Sequence, residues 1–179
     1  MPQVPPDSHH ASILRRWARR LLPLAVVLAV VWLIVQQRQG SGGHLEGEGL
    51  PEATLELSDG SEVRLGEPLG EVVVLNFWAT WCAPCRTEAP ELSEMHREMR
   101  ERGRGRVVGV SVEQAPLSQA AQAAKRLGMR YPIGVATPEL LGGLDVQLLP
   151  TTLVLDADGT VHRSFVGAVT AHQLRRALP

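Results

Sequence analysis

An α/β fold, built as a mixed central sheet with helices on both faces, is what three features of this 179-residue sequence predict. Short runs rich in β-branched residues alternate with longer stretches whose apolar residues recur every three or four positions, the periods of buried strand and amphipathic helix. The order reads βαβα and then ββα, an alternation that implies a mixed sheet. Two Asp-Gly pairs, Asp59-Gly60 and Asp158-Gly159, each divide a stretch of strand-forming residues, as hairpin turns do.

The elements follow from the N-terminus. Residues 1–20 hold Arg15, Arg16, Arg19 and Arg20 and read as a basic tail held in the cytoplasm. The unbroken apolar run "LLPLAVVLAVVWLIV" opens residues 21–37, and about 17 residues cover about 25 Å as a helix, so a single N-terminal transmembrane helix acting as a signal anchor is expected there. Cleavage as a signal peptide is the rival reading, but no small-x-small site directly follows Val35. The remainder then lies on the periplasmic, extracytoplasmic side of the inner membrane. Residues 38–49 are rich in Gly and polar side chains and read as a flexible tether to one domain over residues 50–179.

Within that domain "ATLELSDGSEVRL" alternates apolar and polar residues on both sides of Asp59-Gly60, an N-terminal β-hairpin. "EVVVLNFW" is too short for a helix and reads as a strand buried on both faces. From Pro84 to Arg102 the positions Ala89, Leu92, Met95 and Met99 form one face of a helix, in which Pro90 predicts a kink. "RVVGVSV" is a second buried strand, and "LSQAAQAAKRLGM" a helix closed near Gly128. "TTLVLDADGTVHRSFV" gives two more strands, and "TAHQLRRAL" a last helix started by Thr170. Glu113, at the end of the second strand, reads as an exposed loop residue.

Charge narrows the function. Residues 1–40 carry five Arg against Asp7, whereas the rest carries 13 Lys plus Arg against 18 Asp plus Glu. An acidic exported part with few aromatics and no basic stripe makes nucleic acid an unsuitable partner.

The only two cysteines, Cys82 and Cys85, stand in "NFWATWCAPCRTEAPEL". As a staple the pair closes a loop so small that it would contribute only about 2 kcal/mol, against nearly 5 for a loop of about 100 residues. A structural zinc needs about four ligands, and beyond one CxxC the domain offers only His96, His162 and His172, so no metal is expected. The reactive reading explains the placement. A strand delivers Cys82 to the start of a helix, where free backbone N–H groups and the positive dipole end favour a thiolate. Cys85, one turn on, is spaced to attack a mixed disulfide at Cys82. Pro84 in the first turn costs no hydrogen bond.

With those residues, "VVVLNFWATWCAPCRTEAPEL", "VVGVSVE" and "LLPTTLVLDADGTV" together resemble the TlpA-like branch of the thioredoxin superfamily over most of residues 50–179. The resemblance implies a thioredoxin-like fold and a membrane-anchored thiol-disulfide reductase that needs no cofactor, several such proteins serving cytochrome c maturation. It implies that Cys82 is the nucleophile and Cys85 the resolving thiol. Pro150 would occupy the place of the family's cis-proline, exposing the backbone of Leu149 to an extended substrate. Glu88 matches an acidic position near the second cysteine, on the same helical face, where it could pass a proton or raise that thiol's pKa; a surface carboxylate is the alternative. Trp81 would form an apolar lip for docking, with simple packing as the rival. Expected partners are disulfide-containing exported clients and a membrane electron donor that restores the dithiol.

The dipeptide Ala83-Pro84 does not fix the potential, so a disulfide-forming oxidase stays open as an alternative. A copper chaperone of related fold would want a wider cysteine spacing and a partnering histidine such as His162. A link to copper stress through repair of wrongly formed disulfides fits the reductase. A peroxidase would want a threonine three positions before its cysteine, where Thr80 is only two ahead.

Overall fold

The computed structural model describes residues 45–144 and 146–179, together with Val26, Ala29 and Val30, which are helical and exposed. The basic tail, most of the proposed anchor and residues 38–44 of the tether lie outside the described residues. Among the described residues no helix is long and apolar enough to cross a membrane.

The folded unit is a five-stranded mixed sheet in the order β5-β4-β3-β6-β7, with a separate two-stranded sheet β1-β2. Strand β3 (Val72–Trp78) lies at the centre, parallel to β4 (Gly105–Ser111) and antiparallel to β6 (Thr151–Leu155). On one side β5 (Ile133–Val135) continues in parallel, and on the other β7 (Val161–Val166) runs antiparallel to β6. Helix α1 (Ala83–Glu101) crosses from β3 to β4, and α2 (Leu117–Arg126) from β4 to β5. Both crossovers step the same way along the sheet, so right-handed connections bring both helices to one face. The core agrees. Met95 and Leu92 of α1, Ala120 and Ala124 of α2 and Leu174 of α4 (Ala171–Ala177) bury one continuous cluster against Val74 and Trp78. The opposite face is covered by Leu140 and Leu144 of α3 (Pro138–Leu144) and by Leu55 and Val63 of the pair β1 (Ala53–Glu56) and β2 (Glu62–Leu65).

Two elements escaped the sequence reading, β5 and α3. Three residues are too few to show a period, and β5 exists because β4 offers it an edge. Helix α3 contains Gly142 and Gly143, poor helix formers, and is held by burial of Leu140 and Leu144. The tether also ends earlier than expected. Gly47 N–H donates to Val161 O at 2.8 Å and Val161 N–H to Glu48 O at 2.9 Å, so residues 45–49 belong to the fold and cover part of the outer edge of β7. Helix α1 runs unbroken through Pro90.

Both Asp-Gly turns are built alike. Asp59 Oδ1 accepts from the N–H and hydroxyl of Ser61, and Asp158 Oδ1 from those of Thr160. Each glycine N–H closes the turn onto the carbonyl three residues back, Leu57 or Asp156. Because β5 is short, Val107 N–H of β4 finds no strand and donates to His96 Nδ1 of α1 at 3.2 Å. Burial holds the His96 pKa below the usual histidine value, which keeps that nitrogen an acceptor.

Strand β4 can start beside β3 only through a glycine. Gly105 has φ +135°, and a Cβ there would stand 1.9 Å from Val72 O. Gly105→Ala should therefore destabilise the protein by about 2–4 kcal/mol, read as a lowered urea midpoint at unchanged slope.

Candidate active site

Strand β3 ends at Trp78, whose carbonyl accepts from Val112 N–H, and the chain turns through Ala79, Thr80 and Trp81 into α1. Cys82 N–H closes that turn onto Ala79 O at 3.2 Å. Cys82 is then the N-cap of α1, with extended backbone and its Sγ accepting from Cys85 N–H at 3.2 Å. The sulfur thus takes the role that a Ser or Asp oxygen plays at other helix starts. Pro84 sits in the first turn. Cys82 and Cys85 are joined in a disulfide, Cys85 wholly buried and Cys82 4% exposed, so a partner reaches Cys82 first.

One turn beyond Cys85, Glu88 is not a surface carboxylate. It is 1% exposed, on the buried face of α1 with Cys85, Ala89 and Leu92. Its Oε1 accepts from Asn76 Nδ2 of β3 at 2.7 Å, and its Oε2 from Val169 N–H at 2.9 Å. Asn76 Nδ2 also donates to Thr152 Oγ1 of β6 at 3.1 Å. Burial raises the Glu88 pKa from its ordinary 4.5 to about 7, against the opposing pull of those two hydrogen bonds. At neutral pH the group is therefore poised to give or take a proton.

Strand β6 opens at this same end of the sheet, since Thr151 pairs with Phe77. The bond Leu149-Pro150 just before it is cis. Pro150 is buried, and Leu149 is half-buried against the cluster that holds both cysteines. Trp81 is 71% exposed, which removes simple packing as its role, and Leu148 is also exposed. His162 lies elsewhere. It bonds Asp156 at 3.2 Å, near the Leu155 end of β6, so it is no ligand partner for Cys82. Among the described residues no cluster of three or more His, Cys, Asp or Glu could hold a metal ion.

Asn76, Thr152, Val169 and Glu113 were not singled out as site residues from the sequence. Asn76 carried a signal, as the one polar residue in "VVVLNFW", because a polar group in a strand buried on both faces must be hydrogen-bonded. Glu113 is not a free loop residue. Its carboxylate accepts from Thr80 N–H at 2.6 Å and from Thr80 Oγ1 at 2.9 Å.

A buried cysteine pair at a strand-to-helix junction, beside a cis-proline strand, defines a thioredoxin-fold thiol-disulfide oxidoreductase of the TlpA-like kind. Comparison with known proteins agrees: residues 47–173 match the AhpC/TSA family, and the chain belongs to that family. It is 27% identical over 167 residues to the thioredoxin-like protein YneN of Bacillus subtilis, covering 93% of this chain and 98% of that one. To the thiol-disulfide oxidoreductase ResA of Geobacillus kaustophilus it is 33% identical over 133 residues, covering 74% and 75%. A solved structure of a DsbF homologue from Corynebacterium diphtheriae superposes with a TM-score of 0.60 at 30% identity, over 73% of this chain and 84% of that one.

The raised pKa of Glu88 fixes the sign of a pH effect. The stability that the protonated carboxyl brings is fully present below about pH 4.5 and is lost as pH rises through about 7. The parent should lose about 3 kcal/mol at most across that window, and Glu88→Gln none from this source, as denaturant melts of the oxidised proteins at pH 5 and pH 8 will show.

Proposed function

We propose that the protein is a membrane-anchored, extracytoplasmic reductase of disulfides in exported proteins, working by dithiol exchange through Cys82 and Cys85. One observation carries this reading: the disulfide lies at the N-terminus of α1, with Cys82 as the cap and the reachable sulfur and Cys85 enclosed behind it. The relatives named thiol-disulfide oxidoreductase support the chemistry. The apolar run over residues 21–37 and the arginines before it support the anchor and its orientation. The TlpA-like resemblance supports an apocytochrome c among the clients.

In the reduced protein the Cys82 thiolate, favoured by the helix N-terminus, attacks one sulfur of a client disulfide. A Cys82–client disulfide forms, and the client's other sulfur leaves as a thiolate and takes a proton. Cys85 then loses its proton to the Glu88 carboxylate and attacks Cys82 Sγ. The second client thiolate leaves, and the protein holds the Cys82–Cys85 disulfide while the client has gained two electrons and two protons. A dithiol donor in the membrane reverses the protein's half of the exchange. Trp81, Leu149 and Pro150 line the approach to Cys82 and contact the client chain.

Cys85→Ala should accumulate covalent complexes through Cys82 that a reductant releases, whereas Cys82→Ala should accumulate none. A Cys85→Ala protein that captures nothing from the extracytoplasmic compartment overturns the reading. Direction is tested by the reduction potential, and a value near about −120 mV would make the protein an oxidase instead. Glu88→Gln should flatten the pH dependence of the resolving step near pH 7, measured as release of a preformed Cys82 mixed disulfide at a series of pH values.

A further inference from the structure

The loop that carries Trp81 into Cys82 is held from outside its own strand. Two elements meet there: β3 ends at Trp78 and β4 at Ser111, and Val112 N–H donating to Trp78 O at 3.0 Å is the last bond between them. Beyond it Glu113 is itself fixed, because its N–H donates to Ser111 Oγ at 3.2 Å and its carbonyl accepts from Ala115 N–H at 2.8 Å. From that platform the carboxylate takes both donors of Thr80, backbone and hydroxyl, one on each oxygen. Thr80 is exposed, so water competes for both donors, and a charged acceptor holding the two in one geometry is the stronger competitor.

We infer that Glu113 is a positioning residue: by clamping Thr80 it holds Trp81 at the rim of the site in the orientation that receives a client polypeptide. The consequence is selective. A client must find the Ala79–Cys82 turn in its docking arrangement, and the apparent affinity falls by whatever fraction of the time the turn spends elsewhere. The sulfur exchange itself does not pass through Glu113, because the Cys82 cap is made by Cys85 N–H of α1. A small disulfide, which touches only the sulfur, is indifferent to where Trp81 stands. Binding of a polypeptide weakens without change in the step that follows, the pattern of a raised KM at constant kcat.

This inference rests on the reductase reading above, and the two fail differently. The full-length parent is assayed first, with insulin as a cystine-containing polypeptide and with a small aromatic disulfide. Failure of the parent on both substrates refutes the reductase and leaves nothing to clamp. Glu113→Gln keeps the size but places an amide nitrogen against one of the two donors, and Thr80→Val removes the hydroxyl alone. Each should raise KM for insulin by about three- to tenfold with kcat within twofold, the size of one ordinary hydrogen bond lost where water can replace it, while exchange with the small disulfide stays within twofold. The double variant should be no worse than Glu113→Gln, since both act on one contact. An unchanged insulin KM, an equal loss on both substrates, or additive effects in the double variant would each overturn the clamp.

Discussion

A helix that begins where a strand leaves the sheet must satisfy N–H groups that no helical carbonyl reaches, and here one of them, that of Cys85, is met by a sulfur. Cys82 Sγ accepts from Cys85 N–H, so the cap of α1 is itself one sulfur of the disulfide. The rest of the architecture keeps this junction in place. Strand β3 is central and buried from Val73 to Trp78, and α1 buries Ala89, Leu92, Met95 and Met99 beneath it. Neither can shift without opening the largest cluster in the fold. Rigid packing on both sides of the junction is what lets a short loop place a thiol with the precision that exchange requires.

The second constraint is a carboxyl group in that same cluster. An ionised carboxylate with no partner would be expelled from such a place, and Glu88 stays because β3 supplies Asn76 and the turn before α4 supplies Val169 N–H. The compensation is partial, which is why its pKa settles near neutrality instead of returning to the ordinary value. A fully satisfied carboxylate would be a poor proton acceptor, and a wholly uncompensated one would never ionise. The network also ties α1 to β3, β6 through Thr152, and the approach to α4, so the titration of this carboxyl and the fold depend on the same bonds.

At the sheet's margins the chain protects itself. The outer edge of β5 is bonded to Ser58 in the β1-β2 turn, with Ser58 N–H to Ile133 O at 2.8 Å and Ile133 N–H to Ser58 Oγ at 3.1 Å. Part of the β7 edge is covered by residues 45–49. The exposed large apolar side chains of the folded unit, Trp81, Leu148 and Val166, all belong to the end of the sheet that carries Cys82, Val166 being paired with Thr151. Exposed apolar surface is thus gathered at the end of the sheet that carries Cys82.

Much of this was legible in the residues. Short apolar, β-branched runs located β3, β4 and the β6–β7 pair, and a three-to-four-residue period located α1, because burial of a whole strand or of one helical face leaves its mark on the chain itself. The Asp-Gly turns were legible because the aspartate and the following Ser or Thr close them locally. The CxxC pair and the Pro-Thr-Thr stretch announced the chemistry through their resemblance to a known family, and the cis state of Leu149-Pro150 came only with the structure. The sequence could not show β5 and α3, which are too short or too rich in glycine to carry a pattern and persist only through their neighbours. Nor could it show that Glu88 faces inward with a pKa near 7, or that Glu113 holds Thr80 across 33 positions of chain. Local patterns record what a residue needs from water. Which distant groups replace that water is decided only when the strands are brought side by side.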